Sequence, residues 1–187
     1  TCNGPINTSP EITEGTSTAV NMSEDMPDSF ILSLNATDVE NDTLTWSIFS
    51  QGSKGTASVG GTSNGSLQVI TFSPRVNEMG LDSFVVQVSD GSLSDTITVN
   101  VSITPVDDAP EIVEGTSTAV NMSEDGSPTS FTLTLNASDP EGDAITWDIP
   151  SNALNGSASV SSNPAGNSQR IFYNPIENFN GSDNFVV

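Results

Sequence analysis

The sequence predicts an all-β chain of two tandem β-sandwich repeats of about 100 residues, the second cut short. Three observations carry this. EGTSTAVNMSED occupies 14–25 and recurs unchanged at 114–125, which sets the period at about the size of a small domain. Within each copy the apolar residues alternate over short runs separated by Gly, Asn, Asp, Ser and Pro, the mark of half-buried antiparallel strands. No segment of ten or more residues carries a helical period.

In order along repeat 1, the segment running up to Glu24 reads as a first strand. Phe30, Leu32, Leu34 and Ala36 share one face of the next. Leu44, Trp46 and Ile48 share one face of a third, followed by Ala57 with Val59 and Ile70 with Phe72. Phe84, Val86 and Val88 mark the sixth strand, and Ile97, Val99, Val101 and Ile103 the last. About seven short strands per repeat fit an Ig-like Greek-key sandwich, with a Trp on a central strand for its core. After one inserted residue the offset becomes 101: Trp46 matches Trp147, Pro74 matches Pro175 and Phe84 matches Phe185. Repeat 1 is placed at 9–107 and repeat 2 at 108–187, the latter without a counterpart of 87–103. The linker TPVDDAP (104–110) is stiffened by prolines at both ends. GPINTSP (4–10) matches it position by position, so residues 1–8 read as the end of a preceding linker and the chain as a window on a longer array.

Composition narrows the chemistry. With 24 acidic residues against 3 basic ones and a net charge of -21, the chain is unsuited to nucleic acid and to anionic membrane surfaces, both of which require cationic side chains. No apolar run is long enough to insert in a membrane. Histidine is absent and Cys2 is the only cysteine, which excludes His-based zinc sites, Ser-His-Asp and Cys-His catalysis and a disulfide framework. Exposed turn carboxylates without a cleft give no glycosidase pair, so no enzyme is expected. Trp46 and Trp147 could form a sugar-stacking platform, but Leu44, Ile48, Ile145 and Ile149 share their face, which points to the core. Asn-x-Ser/Thr sequons such as Asn35 and Asn136 arise by chance in so Ser/Thr/Asn-rich a chain.

The acids are not scattered. Asp38, Glu40 and Asp42 in repeat 1 have the register of Asp139, Glu141 and Asp143 in repeat 2, with different residues between them. Glu24-Asp25 recurs as Glu124-Asp125, and Asp107-Asp108 sits in the linker. A solvated turn is the plain reading, since Asp bonds its own backbone there. Yet two carboxylates about 4 Å apart repel by roughly 4 kcal/mol at an effective dielectric of 20, and loops gather at the ends of a sandwich. Hard cations with six to eight oxygen ligands relieve such repulsion, and calcium suits flexible all-oxygen loops. No EF-hand is present, because Phe49 or Pro150 stands where its twelfth-position glutamate belongs.

On these residues the chain resembles the cadherin repeat. The Glu-containing turn in NMSED, the NATDVEND stretch with the TLTW strand after it, and the VDDAP linker fall in the same order. With NFNGSDNF (178–185) and SDG (89–91), the whole chain is similar to bacterial cadherin-like tandem repeats of large secreted or cell-surface adhesins. The resemblance implies an extracellular or cell-surface array, stiffened by calcium at each junction and used in adhesion. Carried over, it implies a central junction formed by Glu24, Asp82, Asp107, Asp108, Asp139 and Glu141. An N-terminal half-site would use Asp38, Glu40 and Asp90, and a C-terminal one Glu124 and Asp183. Glu40 and Glu141 stand where the family has Asp, and Asp82 lies in Gly-Leu-Asp-Ser. Expected partners are neighbouring repeats, other adhesin copies or surface glycans. The alternatives are a passive stalk presenting another domain and a carbohydrate-binding module.

Overall fold

The computed structural model describes residues 6–25, 30–124 and 129–187; Cys2, Pro5 and Asp125 lie outside them. The chain divides into two compact units, Thr1–Val106 and Asp107–Val187, one residue ahead of the boundary drawn from the repeat. Each is described by itself.

Unit 1 is a sandwich of two four-stranded sheets. Its elements are β1 (Glu11–Ile12), β2 (Ser17–Ser23), β3 (Phe30–Thr37), β4 (Thr45–Ser50), β5 (Gly55–Val59), β6 (Leu67–Pro74), β7 (Gly80–Ser89) and β8 (Ser94–Thr104). One sheet has the order β1-β3-β6-β5 and the other β2-β8-β7-β4. Pairing is antiparallel except between β2 and β8, where Ser17–Ser23 run parallel to Thr98–Thr104. The first strand of the sequence reading is thus two, one in each sheet. The chain changes sheet at Gly15, whose φ of 86° and hydrogen bond to the Ile12 carbonyl make a turn that a Cβ would strain.

The alternation read from sequence is the burial pattern. Ile97, Val99, Val101 and Ile103 all point inward from β8, and Phe84, Val86 and Val88 meet them from β7. Phe30, Phe72 and Phe84 stack through the sandwich, with 5.5 Å between the Phe72 and Phe84 centroids. Trp46 is 2% exposed and donates from Nε1 to the Gly65 carbonyl at 2.7 Å. Trp147 is 7% exposed and does the same to Gly166 at 2.7 Å. Both are core residues in equivalent places, which removes the sugar platform.

Unit 2 contains β9 (Glu111–Ile112), β10 (Leu133–Ser138), β11 (Gly156–Val160) and β12 (Ser168–Pro175), in one sheet of order β11-β12-β10-β9. This sheet corresponds to β1-β3-β6-β5. Residues 117–123 have the same sequence as β2, and 181–187 match the start of β7, yet among the described residues neither segment is a strand. Among the described residues isolated bridges, such as Ser151 with Val186, stand in place of the second sheet. In unit 1 β2 and β7 both pair with β8, and the 187 residues hold no second copy of β8.

Candidate metal centre

The acidic triplets follow β3 and β10 and form the same turn. Asp38 Oδ1 accepts from the Asp42 amide at 2.9 Å. Asp139 Oδ1 accepts from the Glu141 and Asp143 amides at 3.1 and 2.9 Å. Asn41 and Gly142 hold equivalent positive-φ positions (59° and 81°), which suit those two residue types. One oxygen of each leading Asp is therefore consumed by the turn itself, as the plain reading of the triplet requires. The other oxygen of Asp38 is buried without a hydrogen-bond partner.

The middle acid reaches the segment that enters its own repeat. Glu40 Oε2 accepts from the Thr8 amide at 3.1 Å and the Thr8 hydroxyl at 2.8 Å. In unit 2 Glu141 Oε2 accepts from the Asp108 amide at 3.0 Å, while its Oε1 is buried without a partner. Asn7 donates its amide to Asp90 Oδ2 at 2.9 Å, and Asp90 Oδ1 accepts from the Ser92 and Leu93 amides. The Leu93 and Ser92 amides hold the Asp90 carboxyl below its ordinary pKa. Unit 1 thus brings Asp38, Glu40 and Asp90 to one end, together with Asn7 and Thr8. Those two were missed as site residues, although their match with Asp107 and Asp108 was the available signal. Asp107 is exposed.

Glu24 ends β2. It is only 4% exposed, with Oε1 accepting from the Val106 amide at 3.0 Å and Oε2 buried without a partner. Its copy Glu124 is exposed.

Asp82 and Asp183 each accept hydrogen bonds from a turn of their own repeat. Asp82 accepts from the Ser53 and Lys54 amides, both at 2.9 Å, and from the Ser53 hydroxyl. Gly52 packs so close that a Cβ there would meet Asp82 Oδ2 at 2.3 Å. Asp183 accepts from the Leu154 and Asn155 amides and from Tyr173 Oη at 2.8 Å. Burial pushes both carboxyls up, but hydrogen bonds outweigh it and leave each below its ordinary pKa. Burial, then the neighbouring Asp183, pushes the Tyr173 hydroxyl up to about 12. Both carboxylates pin a turn within their own repeat.

Among the described residues no three acidic side chains stand close enough as placed to hold an ion between them. Any ion would also draw on carbonyls, side-chain amides and water, all normal calcium ligands.

A comparison with curated proteins returns no match. Among solved structures, protocadherin gamma B2 extracellular domains 1–5 are 20% identical with a TM-score of 0.48, covering 89% of this chain and 33% of theirs. Drosophila N-cadherin EC1–4 is 16% identical with a TM-score of 0.49, covering 94% and 43%. An endo-fucoidan hydrolase of glycoside hydrolase family 107 is 17% identical with a TM-score of 0.43, covering 98% and 27%. The chain therefore spans less than half of each. The family comparison reaches further: the bacterial Ig domain profile matches residues 7–102 and again 107–187. Such domains are generally non-enzymatic. With both repeats matched along almost their whole length, the chain belongs to the bacterial Ig domain family.

Proposed function

We propose that this chain is a calcium-binding segment of an extracellular adhesion protein, in which bound calcium stiffens the array. One observation carries the reading. Among the described residues four buried side-chain atoms lack a hydrogen-bond partner, and three are carboxylate oxygens of the expected ligands: Glu24 Oε2, Asp38 Oδ2 and Glu141 Oε1. A buried polar atom left unpaired costs about 1–3 kcal/mol, more when charged, so each of these dehydrated carboxylates calls for a cation. The donors are all oxygen, which favours calcium over zinc.

In repeat 2 the ligands would be Asp139, Glu141, Asp107 and Asp108, with Glu24 supplied by repeat 1. In repeat 1 they would be Asp38, Glu40 and Asp90, with the Asn7 amide oxygen. Glu124 would serve a following repeat. Asp82 and Asp183, engaged by their own turns, contribute by fixing the frame. Bound calcium supplies the positive charge that lets these carboxylates share one space.

Calorimetric titration tests the binding. The 187-residue chain should bind calcium with Kd of about 0.1–1 mM, the range of extracellular modules, and magnesium much more weakly. The Glu24→Ala, Asp139→Ala double variant should lose the tighter binding. A variant that binds as the parent does would return these acids to a solvated turn. Beads coated with the chain should cluster in calcium and disperse in chelator; beads that bind calcium and stay dispersed would assign the passive-stalk role instead.

A further inference from the structure

We propose that Gln51 is an edge guard: its carboxamide occupies the backbone groups of β5 through which a second copy of this chain would add its own β5. That strand lies at the edge of its sheet and pairs there with β6. In an antiparallel pair every second residue turns its N–H and C=O away from the partner strand. Ala57 is such a residue. Its amide donates to Gln51 Oε1 at 2.8 Å, and its carbonyl accepts from Gln51 Nε2 at 2.9 Å. One side chain thus makes both bonds that an added strand would make at the middle of β5.

The strand's own residues, GTASV, include no charge and no proline, the usual means of spoiling an exposed edge. Two further edges of unit 1 are closed by other groups. Beside β4 the Trp46 amide donates to the Ser63 carbonyl at 2.7 Å, and the Leu44 carbonyl accepts from the Gly65 amide at 3.0 Å. On β1 the Ile12 amide donates to Asp95 Oδ2 at 2.9 Å. Repeat 2 places a carboxamide where repeat 1 has Gln51: Asn152 Oδ1 accepts from the Ala158 amide at 2.8 Å. The partner that fits the β5 edge is a second β5. Set antiparallel with Ala57 opposite Ala57, two copies exchange both bonds reciprocally. An uncharged strand is also where two chains of net charge -21 can approach with least repulsion.

Sedimentation of the 187-residue chain, in chelator to exclude calcium bridging and in high salt to screen the charge, compares the parent with Gln51→Leu. That variant keeps the bulk of the side chain and loses both bonds. Amide hydrogen exchange then locates the contact. Gln51→Leu should self-associate with a constant about tenfold above the parent's, the effect of freeing one or two hydrogen bonds for a partner. Its 55–59 segment should exchange fast when dilute and slowly when concentrated. Gln51→Asn keeps a carboxamide that can still hold the Ala57 amide, and should fall between the two. A Gln51→Leu chain that stays as monomeric as the parent, or associates without protecting 55–59, would overturn the guard. So would one that unfolds, because the two bonds would then serve the fold and not the edge.

Discussion

Gln68 and Gln169 occupy the same place in the two repeats, and only one of them is satisfied. Gln169 Oε1 accepts from the Ser161 hydroxyl at 2.7 Å and its Nε2 donates to the Asn163 carbonyl. Gln68 donates to the Gly60 carbonyl, but its Oε1 is buried with no partner. The difference is one side chain, since Gly60 stands where repeat 2 has Ser161. A Cβ on Gly60 would meet the Val69 carbonyl oxygen at 3.3 Å, a contact that a small shift relieves. Gly60→Ser should therefore stabilise unit 1 by about 1 kcal/mol through the new hydrogen bond, with a further gain from a less flexible unfolded chain. Gly60→Ala keeps only the second effect, so a melting temperature for Ala equal to that for Ser would show that the hydroxyl contributes nothing. At this scale the sequence is a partial guide. The offset of 101 pairs Gly60 with Ser161 and Asp38 with Asp139, but it does not say which oxygen of a carboxylate a turn will consume. Two of the expected ligand atoms, on Asp38 and Asp139, are spent in that way.

Between elements, Asp82 ties the start of β7 to the turn at 52–54, which its position at the head of a strand could not reveal. An acid there is a ligand or a turn anchor according to where its neighbours' amides point, and spacing is blind to that. The strands themselves were legible because alternation has a direct physical cause: one face is dry and the other wet. The change of sheet at Gly15 was not, nor was the failure of 117–123 to form the strand that the same seven residues form in unit 1. A strand is completed by its partner, not by its own residues. The Asp82 anchor has a pH signature. Its folded-state pKa lies below the ordinary aspartate value, so its stabilisation is complete above that ordinary value and is lost as pH falls through the folded pKa. The melting temperature of unit 1 should drop as pH is lowered from about 4 toward 2. Asp82→Asn should be less stable at neutral pH and show a shallower drop over the same window. Asp90, held low by the Leu93 and Ser92 amides, stays in the variant and keeps part of the slope. A parallel shift of the two curves, with no change of slope, would contradict the anchor.

At the scale of the whole molecule the two repeats share a sequence pattern but not a core. Among the described residues sixteen buried apolar residues form one cluster in unit 1, against five in the main cluster of unit 2. A fully buried aliphatic or aromatic side chain contributes about 1.5–3 kcal/mol, and a domain's net stability is only about 5–15 kcal/mol. Within these 187 residues unit 2 therefore holds much less buried apolar surface than unit 1. This inequality was readable in the sequence as the absent counterpart of 87–103, because the four inward residues of β8 were already marked by their alternation. Each unit has one tryptophan in its core, so unfolding can be followed separately. In the Trp46→Phe variant the fluorescence of Trp147 reports unit 2, and in Trp147→Phe that of Trp46 reports unit 1. In urea the Trp147 signal should change first and over a broad range, since a half-built sandwich has little cooperativity to lose. The Trp46 signal should hold to higher urea and then fall in one sharp step. Trp46→Phe itself removes the hydrogen bond to Gly65, worth about 1 kcal/mol, but that lowers the midpoint of unit 1 and leaves the Trp147 report intact. Coincident midpoints from the two tryptophans would mean that unit 2 draws its stability from something other than its own core.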